Sequence, residues 1–142
     1  MRHFREQPLL SGLRGLVPAL PVAIAPAWLV SYFMLGRAST QALRAALGAA
    51  LARVSPAAWQ ARLNPLLAVD VSSKLTALRV PILYLRARRD RLVPAAASEL
   101  IARLAPHAVI ASVDAPHFLL QTNPAEAARL VSEFVRKCER LM

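Results

Sequence analysis

One cysteine in 142 residues leaves no partner for an internal disulfide. A disulfide-stapled secreted scaffold is therefore excluded, and a reducing compartment, the cytoplasm, is the expected location. Three scattered histidines and Cys138 offer no ligand spacing for a structural metal, so no metal or cofactor is expected. Aromatic residues make up only 6% of the chain, too few for a stacking surface on bases. Acidic residues are also scarce, eight against sixteen Arg and two Lys, and the formal charge is +10. The arginines are spread from Arg2 to Arg140 rather than gathered in a tract, which reads as a solvated basic surface with no specific nucleic-acid partner. Long uncharged runs are confined to one place, Arg14 to Arg37, which holds LVPALPVAIAPAWLVSYFML. About twenty apolar residues would span a bilayer. Pro18, Pro21 and Pro26 break that helix, so the segment is expected to be a buried, kinked stretch or a lid rather than a transmembrane or signal segment.

What is present is ample core material, with 56% hydrophobic residues. Residues 1–37 read as irregular and apolar. Residues 39–54 read as a helix capped by Ser39, with Leu43, Leu47, Leu51 and Val54 on one face. Ser55-Pro56 and Asn64-Pro65 each look like a helix start, so 56–78 is expected to form several short helical turns. The pattern changes at residue 79. Val80–Leu85 is a short apolar run of β-formers, as expected for a strand buried on both faces. A helix follows within 94–105, opened by Pro94 and carrying Leu100, Ile101 and Leu104. Ala108–Val113 reads as a second strand. Asn123-Pro124-Ala125-Glu126 is a helix start, and that helix carries Leu130, Val131 and Phe134. Strand–helix–strand–helix predicts a parallel α/β sheet. The chain divides into an apolar, mainly helical part, 1–78, and an α/β part, 79–142.

Two residues stand where such a sheet places its chemistry. Asp90 follows the C-terminal end of the first strand and His117 that of the second. Adjacent parallel strands are about 5 Å apart, so the two loops can bring these side chains together. A carboxylate bonded to one imidazole nitrogen fixes the tautomer and leaves the other nitrogen as a base. Arg86, Arg88, Arg89 and Arg91 crowd Asp90 in sequence and are expected to favour its ionised form. Trp28, Tyr32, Phe33 and Met34 are expected to pack as core or lid, with lining of an acyl pocket as the functional alternative. His3 and His107 read as surface residues, and Cys138 lacks an activating neighbour.

VPILYLRARRDRLVP followed by DAPHFLLQTNPAEAARLVSEFV resembles the C-terminal part of the α/β-hydrolase superfamily. The resemblance covers roughly residues 79–136, and residues 14–78 are similar to the helical cap of small esterase-like members. It implies that Asp90, followed by Leu92-Val93-Pro94, is the acid of a Ser-His-Asp triad, and that His117, twenty-seven residues on, is the base. It further implies ester hydrolysis, a small ester or acyl substrate, and no cofactor. One part of the family pattern is missing. The nucleophile motif G-x-S-x-G needs two glycines four apart, and Gly12, Gly15, Gly36 and Gly48 supply no such pair. Ser11, in LLSGLRG, is not an elbow, and the HGGG-type oxyanion loop is also absent. The chain is therefore expected to be a fragment or truncated product, with Met1 an internal start. It would be inactive alone and exposed at a sheet edge to self-association or to an N-terminal half. Two other readings remain at this point: a non-catalytic, partner-binding remnant, and a small membrane-associated protein using residues 15–36.

Overall fold

A computed structural model of the chain describes residues 26–37 and 39–141. The part of the apolar run that falls within residues 1–25 lies outside them, as do Ser11 and His3. Among the described residues no helix is long and apolar enough to cross a membrane.

The first element is a helix where an irregular stretch was expected. Helix α1 spans Ala27–Leu35, nine residues without Pro or Gly. Pro26 fixes its entry, and Gly36 ends it at φ 71° and ψ −178°. Those angles are essentially open to glycine alone. Helix α2 follows at Gln41–Ala52, and α1 packs against it. Its cap is Thr40, not Ser39: the Thr40 hydroxyl accepts from the Leu43 amide at 3.2 Å. The Ser39 hydroxyl turns back and donates to the Gly36 carbonyl. Leu43, Leu47, Leu51 and Val54 form the half-buried side of this segment, as their spacing predicts.

Helix α3 spans Pro56–Ala68 and corrects the expectation of a break at Asn64-Pro65. Ser55 caps it through the Ala58 amide at 3.2 Å, and the helix then runs through Pro65. Proline inside a helix removes one hydrogen bond and crowds the preceding turn. A short helix α4, Ser72–Ala77, packs on the later helix at Ala95–Leu104.

The α/β part consists of strand β1 (Leu83–Ala87), helix α5 (Ala95–Leu104), strand β2 (Val109–Val113), one turn of helix α6 (Leu119–Thr122) and helix α7 (Pro124–Glu139). The two strands are parallel, with Leu83 opposite Val109 and Ala87 opposite Val113. The first strand starts later than Val80 and continues two residues past Leu85. Pro81 has no amide to give a ladder, and pairing begins only where the Val109 amide donates to the Ile82 carbonyl. At the other end Arg86 stays in register with Ser112 despite its charge.

Helix α7 packs on both strands, and its Ala127 is buried. Leu130 and Phe134 are half-buried, but Val131 faces outward at 40% exposure. Asn123 does not cap α7 with its side chain; its carbonyl accepts from Ala127, and its amide nitrogen donates to Glu126 at 3.2 Å. The fully enclosed residues Ala105, Val113 and Ala115 mark a small core around the end of β2. Val80, Val109 and Ile110 remain substantially exposed. Among the described residues the sheet has two strands, so one edge of β1 carries no partner.

Candidate functional site

Because Ala87 and Val113 are in register, both strands end at the same level. The pairing then continues into the loops. The Arg88 amide donates to the Val113 carbonyl at 2.9 Å, and the Arg89 amide donates to the Ala115 carbonyl at 3.0 Å. Asp90 and His117 leave this stitched edge within a few residues of each other. Asp90 Oδ2 lies 2.9 Å from His117 Nδ1.

Asp90 uses its two oxygens differently. Oδ1 accepts from the Leu92 amide at 2.8 Å and the Val93 amide at 2.9 Å, folding the loop around the carboxylate. Oδ2 is left for the imidazole. Burial works against charge here. The hydrogen bonds from Val93, His117 and Leu92 outweigh it, and the carboxyl titrates below the ordinary carboxylate range. An ionised carboxylate only accepts hydrogen bonds. The proton between the two groups therefore sits on His117 Nδ1, and Nε2 carries the free lone pair. The Asp90 side chain is 11% exposed and that of His117 29%, so the carboxylate is enclosed and the imidazole reachable.

The neighbouring arginines do not perform the role expected of them. Arg89 turns away to Asp114, with Nε 3.0 Å from Oδ1, and Nη2 also donates to the Asp114 carbonyl. The Arg91 guanidinium lies 4.5 Å from the centre of the Tyr32 ring. Backbone amides and the imidazole, not arginines, are what favour the Asp90 charge. Tyr32 in turn meets Phe33 edge-on at 5.5 Å, while Trp28 is 69% exposed. Helix α1 also grips the histidine loop directly, because the Phe118 amide donates to the Met34 carbonyl at 2.9 Å.

A cavity of about 180 Å³ opens beside the pair, bordered by Asp90, His117, Tyr84, Leu85, Arg86 and Ala87 among others. Successive strand side chains alternate between the two faces. A space touching four consecutive residues of β1 therefore runs along the strand's unpaired edge. Tyr84 was not singled out in the sequence, since a tyrosine in an apolar run reads as core. Burial pushes its phenol above the ordinary range, the Asp90 charge adds to this, and Arg86 opposes it. The phenol is thus a neutral hydrogen-bond donor at physiological pH. Among the described residues, no three His, Cys, Asp or Glu side chains converge as metal ligands would.

The described residues thus form a mixed α/β fold with an Asp–His pair on one sheet edge. No family model matches the sequence, and no curated protein matches it. Among solved structures the fold is similar to olei00960, a hydrolase from Oleispira antarctica, with a TM-score of 0.70 at 18% identity. The alignment covers 92% of this chain and 48% of that one, so this chain spans about half the length of that protein. The chain has a hydrolase-like α/β fold.

Proposed function

We propose that Asp90 and His117 are the acid and base of a Ser-His-Asp hydrolase of the α/β-hydrolase superfamily, acting on carboxylic esters. The observation that carries this reading is the 2.9 Å Asp90–His117 contact at the C-terminal edge of two parallel strands. In this reading the chain corresponds to the C-terminal portion of the fold, with α1–α4 in the place of a helical cap. The nucleophile would come from a G-x-S-x-G elbow that this sequence does not contain. The cavity along the open edge of β1 is the place where such an element would meet His117.

Catalysis then follows from the pair. His117 Nε2 takes the proton of the attacking hydroxyl as the tetrahedral intermediate forms. It returns that proton to the departing alkoxide, and repeats both steps with water to release the acid. Asp90 keeps the imidazole in the Nδ1–H tautomer and stabilises the imidazolium. The apolar helix α1, with Trp28 and Phe33 among its residues, would in a cap favour a lipophilic acyl group. The competing reading is a partner-binding module without catalysis, which rests on the same open strand edge.

The chain alone is expected to hydrolyse p-nitrophenyl esters negligibly, since a base without nucleophile and oxyanion hole gives little rate. The DNA upstream of Met1 is expected to carry an in-frame G-x-S-x-G. The product of that longer frame should turn over p-nitrophenyl esters and lose about 10⁶-fold in kcat on His117→Ala. An upstream frame without the motif, or turnover indifferent to His117, contradicts the hydrolase reading and leaves the partner module.

A further inference from the structure

A second cavity, of about 260 Å³, lies between the end of α1, the start of α2 and the loops that follow β1 and β2. Its apolar walls are Leu35, Leu43 and Pro116; its charged groups are Arg37, Arg89, Arg91 and Asp114. Asp114 is already committed to Arg89 by a 3.0 Å ion pair. Among the described residues, no carboxylate lies within ion-pair distance of Arg37 or Arg91. Two arginines with unmatched charge thus line one partly apolar space.

The shape of this space is built in. Gly36 sits at φ 71°, and a Cβ there would meet Pro116 Cβ at 3.2 Å and Arg91 Nη1 at 4.0 Å. The glycine lets the α1–α2 turn press against Pro116 without closing the cavity. Arg91 is held by the Tyr32 ring, which fixes the direction of its stem and leaves its donors available. Guanidinium forks bind planar or tetrahedral oxyanions through paired N–H donors. Two unmatched positive charges suit a dianion better than a monoanion.

We propose that this cavity binds a phosphoryl group carried on a small apolar body. Arg37 and Arg91 hold the phosphate oxygens, and the Leu35, Leu43 and Pro116 walls take the organic part. The site uses other residues than the Asp90–His117 pair and stands whether or not that pair is catalytic.

The test is calorimetric titration of the full chain with inorganic phosphate, phenyl phosphate and acetate. Phosphate is expected to bind saturably, phenyl phosphate more tightly, and acetate at least tenfold more weakly than phosphate. Arg37→Met should weaken phenyl phosphate at least tenfold. Thr40→Asp places a carboxylate at the cavity rim while keeping an oxygen to cap α2, so the fold survives and binding should again fall at least tenfold. Arg136→Met, on the distant helix α7, should leave binding unchanged. The proposal is overturned if neither phosphate binds saturably, if acetate matches phosphate, if Thr40→Asp leaves affinity intact, or if Arg136→Met weakens binding as much as Arg37→Met does.

Discussion

Asp90 concentrates most of the site's physics in one side chain. One oxygen organises the loop through two amides, and the other holds the imidazole. Its position after the strand was legible in the sequence, and so was that of His117, because parallel-sheet chemistry gathers where strands end. Its electrostatic support was not legible. Four neighbouring arginines looked like the cause, yet side-chain direction sends Arg89 to Asp114 and Arg91 to Tyr32. The lowered carboxyl has a consequence for stability. A group whose folded pKa lies below its unfolded value contributes stability above the unfolded pKa and loses it as pH falls through the folded one. The window lies below about pH 4, where free carboxyls titrate. Thermal midpoints measured from pH 6 downward should therefore fall more steeply for the native chain than for Asp90→Asn. Equal slopes would show that Asp90 carries no folding-linked shift.

At the scale of elements, capping signals and periodicity placed most of the segments, and proline misled in both directions. Pro56 and Pro124 sit at helix starts, as the sequence suggests. Pro81 delayed a strand that otherwise read as beginning at Val80. Pro65 looked like a boundary, but the surrounding helix formers and the Ser55 cap carry α3 through it, and the Val69 amide closes the last turn on the Pro65 carbonyl at 2.8 Å. Helix α1 was missed because three prolines nearby made the whole segment look broken. A proline interior to a helix is destabilising by about 3 kcal/mol against alanine. Pro65 is exposed, so Pro65→Ala meets no packing obstacle and should raise the unfolding free energy of the chain, by up to that amount, and with it the urea midpoint. A lowered midpoint in urea would mean that Pro65 stabilises α3 through contacts other than the helix backbone.

The whole molecule shows why the fold class was readable and the architecture only partly so. Alternation of short β-rich runs with capped helices predicts parallel strands, and β1 and β2 are parallel. Two strands give a thin sheet, with a bare β1 edge and exposed Val80, Val109 and Ile110 among the described residues. Unpaired edges and exposed apolar faces promote association. The purified chain is expected to elute as oligomers in size-exclusion chromatography, and a monomer with a sharp two-state transition would contradict that.

In the proposed reaction His117 presents Nε2 as a base because Asp90 takes the proton-bearing Nδ1. Nitrogen-15 NMR of imidazole-labelled chain above the histidine titration reads this tautomer directly. The native chain is predicted to show His117 protonated at Nδ1. In Asp90→Asn the Leu92 and Val93 amides still require the side-chain oxygen, so the new NH₂ group faces Nδ1 and should drive the proton to Nε2. An Nε2–H tautomer in the native chain, or a tautomer unchanged by Asp90→Asn, would contradict the central claim.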